Sequence, residues 1–370
     1  MLQDKKLAVF FTFGVSLNEW QRVGNLNREL KPYIKMAESF NHIYLITYGR
    51  NDEKDVVDYL PSNITILANE NNLPNFLYSL LIPFIFHRKL SGCFFIKTCQ
   101  MNGSWSAVLT KLVLRKKLII RCGYEWYYFA IRDNKKLWKR IIIKYIERIA
   151  YTFADSIIIT SESAKSFVIK NYGINPNKIH IIPNYIDTDL FKPKDTEVEN
   201  SVVFVGRFSN QKNIFSLIDA VSNISLLKLS LVGSGELNSE VKNYAEQHLM
   251  KRVELLGNIL NEQLPQILNK SHIFILPSLY EGNPKTLLEA MSCGKVCVGT
   301  NVEGINNVID DKINGYLCDT TSQSIQNAIT SLLKDKETQK RLRTNARQKI
   351  LNHFSLKYCL KRELNLYSEQ

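Results

Sequence analysis

The sequence predicts an α/β protein built from two Rossmann-like domains, each with a parallel sheet. Three observations predict it. The chain has 370 residues, more than one typical core accommodates. Short apolar runs rich in Val, Ile and Phe recur along it, each followed by a turn signal and a helical pattern, and they fall into two series. Between the series lies PNYIDTDLFKPKDTEVEN, Pro183 to Asn200, where mixed charge and two prolines interrupt any apolar periodicity.

The first series comprises LAVFFTFG, HIYLITYG, CFFIKT, KLIIRCG, SIIITSE and KIHIIPN, and it places the first domain over residues 1–183. The second comprises SVVFVGRF, LKLSLVGSG, VELLGN, SHIFILPS and KVCVGTN, and it places the second domain over 184–352, with 184–200 as its linker. The last stretch, 353–370, spaces Phe354, Tyr358, Leu360, Leu364 and Tyr367 at helical intervals, which predicts a helix crossing back to the first domain. The Asp187-Thr188-Asp189 triplet resembles an Asp-x-Asp metal motif. Because it sits in the linker and not at a strand end, it is read as turn and helix-start residues.

Composition excludes several classes. Met1 to Lys6 runs straight into LAVFFTF with no small-residue cleavage site, so no signal peptide is expected. The run FLYSLLIPFIF ends at His87-Arg88-Lys89, well short of the roughly 20 apolar residues that span a bilayer. Seven cysteines without a C-x-x-C pair, and six scattered histidines, argue against a disulfide framework or a zinc site and for a reducing cytosol.

The formal net charge of +13 implies an anionic partner, and basic residues cluster in KLVLRKK (111–117) and RDNKKLWKRIIIKYIERI (132–149). In the second cluster Trp138, Ile141, Ile142, Tyr145 and Ile149 recur at helical spacing among Lys135, Lys139 and Arg140. The preferred reading is a helix with a buried apolar stripe and a solvated basic face. The alternative is a face resting on an anionic membrane.

In open parallel sheets, ligands bind beyond the carboxyl ends of the strands. In the second series those ends carry a consistent set. Gly206-Arg207-Phe208 follows the first strand, with Lys212 opening the next helix, so a guanidinium fork and an ammonium stand ready for phosphate oxygens. Gly233-Ser234-Gly235-Glu236 follows the second strand and allows close ligand approach to the backbone. Gly257-Asn258-Ile259 follows the third. After the fourth comes YEGNPKTLLEAMSCG, in which Pro284 is expected at the first helical position and the amides of Lys285, Thr286 and Leu287 face a phosphate. Glu281 precedes that helix and Glu289 lies more than one turn inside it, so the two carboxylates reach different parts of one extended ligand.

Those residues, in VGRFSNQKN, LVGSGE, LLGN, LPSLYEGNPKTLLEAMSCG, GINNVIDDKINGYL and the IIPNYIDTDLF of the linker, resemble the retaining glycosyltransferases of family 4. The first half resembles them more loosely, through strand order, GVSLNEW and SESAK. The resemblance implies the GT-B fold, two Rossmann-like domains facing across a cleft. It implies a cytoplasmic, metal-independent enzyme without cofactor, moving a sugar from a nucleotide sugar to a glycan or lipid-linked acceptor in surface polysaccharide or glycolipid assembly. Arg207 and Lys212 would stabilise the leaving nucleoside diphosphate, Glu281 would hold the transferred sugar, and Glu289 would hold the ribose. Gly14, Gly206, Gly233, Asn258, Ile259, Gly282, Asn283, Lys285, Thr286 and Leu287 would complete the donor site.

Two departures stand out. Asn283-Pro284 replaces the usual Phe-Gly pair and removes a backbone donor. Arg121-Cys122-Gly123-Tyr124-Glu125-Trp126 stands where relatives carry a histidine; Arg121 is assigned the vacant role, with Glu125 the alternative, and Tyr124, Glu125 and Trp126 are assigned to the acceptor. Peripheral contact with the inner face of an anionic membrane is a further expectation, and nucleic acid is not expected. A GT-B epimerase or phosphorylase, and a non-catalytic basic Rossmann-type binding protein, are the rival readings.

Overall fold

A computed structural model describes residues 2–50 and 60–369. The chain divides into two compact units, Met1–Pro183 with Leu360–Gln370, and Asn184–Cys359. Each is built on a wholly parallel sheet covered by helices.

The first unit has seven strands: β1 (Lys6–Phe10), β2 (His42–Ile46), β3 (Ile64–Leu67), β4 (Phe95–Thr98), β5 (Lys117–Arg121), β6 (Ser156–Ile159) and β7 (Ile179–Ile181), in the order β3-β2-β1-β4-β5-β6-β7. The second has six: β8 (Ser201–Val205), β9 (Lys228–Val232), β10 (Val253–Gly257), β11 (Ile273–Leu276), β12 (Val296–Thr300) and β13 (Tyr316–Cys318), in the order β10-β9-β8-β11-β12-β13. The strand direction of the chain's progress reverses between β1 and β4 in one sheet and between β8 and β11 in the other, which is where such sheets open a ligand crevice. Eleven of the strands coincide with the apolar runs of the sequence. The other two, β3 and β13, are edge strands whose half-exposed patterns, ITIL and YLC, lack the continuous apolar run of a strand buried on both faces.

Residues 184–200, read as a linker, are partly built into the second unit. Ile186 and Phe191 are buried in its core. Arg347 donates to the carbonyls of Phe191 and Thr188 at 2.7 and 3.0 Å, and the Ser292 hydroxyl donates to the Phe191 carbonyl at 2.6 Å. Asp187 accepts from the amides of Asp189 and Leu190, closing a turn.

The C-terminal helix, Leu356–Ser368, ends within the first unit. Tyr367 packs edge-on to Phe40 and Phe95, with centroids 5.2 and 5.0 Å away. Glu363 is buried against the ammonium of Lys97, with the Arg121 guanidinium at 3.9 Å and the Tyr367 hydroxyl donating at 3.2 Å. Burial pushes the Glu363 carboxyl up, but the neighbouring charges of Lys97 and Arg121 outweigh it and hold the carboxyl below its usual range.

A second buried carboxylate braces the other side of this unit. Glu147, on helix Leu137–Phe153, accepts from the Tyr127 amide at 3.3 Å and from the Tyr172 hydroxyl. Burial raises its carboxyl to about 7, against the opposing pull of those hydrogen bonds. That helix does not bury the stripe expected of it. Its inward residues are Ile143, Glu147, Ala150 and Tyr151, whereas Trp138, Ile141, Ile142, Tyr145 and Ile149 are exposed. Both stripes have helical spacing, and the fold buries the one that carries Glu147.

Two stability measurements follow. Glu363→Gln leaves Lys97 buried without its counter-charge and should cost about 3 kcal/mol in chemical denaturation. In the unaltered protein this contribution is present above the unfolded carboxyl value of 4.5 and is lost as pH falls through the lower folded value. Glu147 has the opposite sign, since the folded state holds its proton more tightly. Stability from this group falls as pH rises from 4.5 to about 7. Glu147→Gln should therefore gain on the unaltered protein across that window, by on the order of 3 kcal/mol, and track it in parallel above the window.

Candidate functional site

The loops after β8, β9, β10 and β11 meet at the carboxyl edge of the second sheet, and glycine makes the meeting sterically permissible. Gly233 has φ +126°, and a Cβ there would lie 2.0 Å from the Gly206 carbonyl oxygen. A Cβ on Gly235 would lie 2.2 Å from the Phe208 carbonyl oxygen. Backbone hydrogen bonds stitch the loops at this spacing: Gly206 N to Val232 O at 3.0 Å, Phe208 N to Ser234 O at 3.0 Å, and Gly233 N to Gly257 O at 2.7 Å. The Ser234 hydroxyl reaches Asn258 at 3.0 Å. Gly206 and Gly233 thus make the ledge itself, while Asn258 and Ile259 stand at its β10 side, exposed and half-buried respectively.

Arg207 projects from this ledge into solvent and makes no ion pair among the described residues. Lys212, in the short 3-10 turn Asn210–Lys212, is largely buried and pairs with Glu281. Glu281 is 7 % exposed, and the Ser278 hydroxyl donates to the same oxygen at 2.6 Å. Its backbone is equally constrained, because Gly304 lies against it at φ +87°, where a Cβ would sit 2.4 Å from the Glu281 carbonyl oxygen. Gln211 closes the frame through its amide to Tyr280 O and its carbonyl from Leu279 N, both at 2.8 Å. An ammonium carries three N–H donors, so Lys212 can serve a phosphate oxygen while Glu281 orients it.

Helix Lys285–Ser292 starts one residue later than expected. Pro284 is its N-cap, at φ −72° and ψ 106°, not its first helical residue. The cause lies in the preceding turn, where Asn283 is held by Asn184: its side-chain oxygen accepts from the Asn184 amide at 3.1 Å and its carbonyl from the Asn184 side chain at 2.9 Å. Gly282 is half-buried beside it. The amides of Thr286 and Leu287 still open the helix and have no acceptor inside it. The Leu287 side chain is fully buried, which limits its contribution at the site to the backbone. Lys285 lies over the Tyr185 ring, its ammonium 5.6 Å from the centroid. One turn in, Glu289 is completely buried and accepts from Asn261 at 3.1 Å.

The structure therefore brings Gly206, Lys212, Gly233, Glu281 and Gly282 into one frame, and it sets Glu289 in the helix that the frame opens. Sequence reasoning missed the residues that hold these in place: Ser278, Gln211, Gly304, Asn184 and Asn261. Ser278 and Asn261 lie inside or just beyond the stretches already singled out, and a polar residue beside a buried carboxylate was the available signal.

In the first unit, Gly14 lies in the loop after β1 with φ +76°. Arg121 ends β5, is buried, donates its backbone amide to the Thr98 hydroxyl at 3.0 Å, and lies beside Glu363. Glu125 is also buried, whereas Tyr124 is exposed and Trp126, which opens helix Trp126–Arg132, is half-buried. Among the described residues no group of three or more His, Cys, Asp and Glu forms a metal-ligand cluster.

Known proteins match both units. Residues 186–349 match the family described as Glycosyl transferases group 1, and residues 42–190 match Glycosyltransferase Family 4. The chain is 32 % identical over 276 residues to the Escherichia coli UDP-Gal:alpha-D-GlcNAc-diphosphoundecaprenol alpha-1,3-galactosyltransferase, a match covering 69 % of this chain and 70 % of that protein. Its fold is that of Anabaena Alr3699/HepE, solved in complex with UDP-glucose, at a TM-score of 0.77 and 18 % identity over 99 % of this chain and 100 % of that one. It is also that of sucrose-phosphate synthase from Thermosynechococcus elongatus, at a TM-score of 0.79 and 19 % identity over 99 % and 98 %. With the strand-end frame of the second unit and two parallel sheets of this order, the chain is a GT-B glycosyltransferase and belongs to family 4.

Proposed function

We propose that this glycosyltransferase moves a sugar from a UDP-sugar to a hydroxyl of a lipid-linked or glycan acceptor, with retention at the anomeric carbon and without a metal ion. The carrying observation is the convergence, at the point where the second sheet reverses its order, of exposed Arg207, the Lys212–Glu281 pair and the helix that contains buried Glu289. UDP is taken as the nucleotide because the Escherichia coli relative is named for UDP-Gal and Alr3699/HepE was solved with UDP-glucose. The lipid-linked acceptor, and with it a place at the inner membrane surface, is taken from the diphosphoundecaprenol substrate in the name of the Escherichia coli relative.

The chemistry needs few parts. The bond between the anomeric carbon and the diphosphate oxygen breaks, and UDP departs with the electron pair. The acceptor hydroxyl bonds to the same face of that carbon, and its proton passes to the departing phosphate oxygen. Charge builds on the diphosphate as the bond breaks. Arg207, Lys212 and the opening amides of helix Lys285–Ser292 neutralise it from fixed positions, and fixed donors act most strongly where charge develops. Glu289, held by Asn261, accepts from the ribose hydroxyls, and Glu281 accepts from the sugar while it orients Lys212. Tyr124 and Trp126 supply an aromatic edge to the acceptor. Arg121 acts from behind this edge, as part of the buried charge cluster with Glu363.

A thermal-shift and turnover experiment tests this reading. UDP-sugars should raise the melting temperature of the unaltered protein. Arg207→Ala should lower kcat by on the order of a hundredfold, and Glu289→Ala should abolish the shift while leaving the ligand-free melting curve resolved. Activity should persist in EDTA, and NMR of the product should show the donor's anomeric configuration. Inversion, loss of activity in EDTA, or no response to any UDP-sugar would each overturn the corresponding part.

A further inference from the structure

Nearly all of the chain's formal net charge resides in one segment, and the same segment exposes an apolar surface. Residues 75–153 contain fifteen Lys and Arg and three acids, in a chain whose total is +13. Of the three acids, Glu125 and Glu147 are buried, so only Asp133 offsets the cations at the surface.

The helices of this segment form one continuous layer on the first sheet. Helix Ser104–Leu114 packs on one side against helix Asn75–Ile85 and on the other against helix Leu137–Phe153. The Trp105 indole donates to the Ser79 hydroxyl at 3.0 Å, and the Ser106 hydroxyl to the Ser79 carbonyl at 2.7 Å, which locks the first pair.

Each helix of the layer turns apolar side chains outward. Phe76, Leu80 and Phe84 recur at intervals of four, and Phe76 is 64 % exposed. Leu112 and Val113 continue the surface. On the third helix Leu137 is 65 % and Tyr145 63 % exposed, with Trp138, Ile141, Ile142 and Ile149 between and beyond them. Scattered exposed apolar residues need no explanation, but stripes at helical period on neighbouring helices mark an interaction surface. Around them stand exposed Arg88, Lys89, Arg115, Lys117, Lys135 and Lys136. Lys139 lies 5.3 Å above the Trp138 ring, as a long cation does where an aromatic meets polar surroundings.

We propose that this three-helix face docks on an anionic lipid bilayer and lies in its interface. Charge complementarity selects the partner. Basic residues ringing aromatic and aliphatic ones match phosphate headgroups above acyl chains, whereas a second copy of this chain would bring the same positive charge against itself. No helix among the described residues is long and apolar enough to cross a membrane, and the most apolar one carries Pro83 within eleven residues, so the face rests on the bilayer and does not span it. Helix Leu137–Phe153 couples this surface to the acceptor segment, because Glu147 on its inner side holds the Tyr127 amide. That last link rests on the acceptor reading above, while the docking itself does not.

Flotation of the full chain with vesicles of phosphatidylcholine and phosphatidylglycerol at low salt is the test, with pure phosphatidylcholine vesicles alongside. The protein should float with the anionic vesicles and far less with the neutral ones. Removing three cations in Lys135→Gln/Lys136→Gln/Lys139→Gln should weaken partitioning by about a hundredfold. Leu137→Ser/Trp138→Ser/Tyr145→Ser should abolish flotation while the UDP-sugar thermal shift is kept, which separates a lost surface from a lost fold. An unaltered protein that stays in the dense fraction, or variants that float like it, would overturn the proposal. So would light scattering that shows a dimer dissociated by the serine variant, since a second copy would then cover the face. Flotation without any nucleotide response would leave this proposal standing and remove the donor reading instead.

Discussion

The second unit depends on how closely five backbone loops approach at the carboxyl edge of its sheet. At Gly233, Gly235 and Gly304 a single Cβ would fall 2.0, 2.2 and 2.4 Å from a carbonyl oxygen of a neighbouring loop. No rotamer adjustment relieves such a clash, because the opposing atom is main chain. The candidate site residues of the second unit are referred to this contact: Arg207 leaves one of the stitched loops, Lys212 follows it, and Gly304 lies against the backbone of Glu281. A parallel sheet supplies the geometry, since all its strands end at one edge and the order β9-β8-β11 opens a gap where successive connections diverge.

Ionic groups are handled differently in the two units. In the second, Lys212 and Glu281 are paired beside an exposed Arg207, an arrangement that keeps a cation oriented without removing it from a ligand's reach. In the first, Lys97, Glu363 and Arg121 are buried together at a strand end and bind the C-terminal helix to the sheet. Buried ion clusters are expensive to desolvate, so their value lies in specifying which segment docks there. Arg121, assigned from the sequence to the place of a missing histidine, is thereby tied to the C-terminal helix, a link that its position after a strand did not reveal.

Much of the site was legible because its residues occupy consecutive strand ends, and glycine, arginine and a helix-opening turn leave marks in sequence. Pro284 shows the boundary of that legibility. A proline after Gly-Asn announces a helix start, but whether it is the cap or the first turn depends on Asn184, 99 positions away from Asn283 in the chain. The strands β3 and β13, of four and three residues, escaped as well, because so short a stretch offers little pattern to read. The stripe from Trp138 to Ile149 is the most instructive case. Periodicity identified the helix and one of its stripes, and it carried no information about which face the sheet would cover.

By itself, then, the sequence determined two parallel α/β sheets, the residue types at their strand ends and the density of positive charge between residues 111 and 149. These are local properties, written in spacing, turn chemistry and composition. Only the tertiary structure decided which partners hold Glu281 and Glu289, that the segment after Pro183 is built into the second unit, that Arg121 is tied to the far end of the chain, and that an apolar stripe faces solvent. Each of these rests on contacts between residues far apart in sequence, and such contacts are settled by the packing of whole elements rather than by any one element's own pattern.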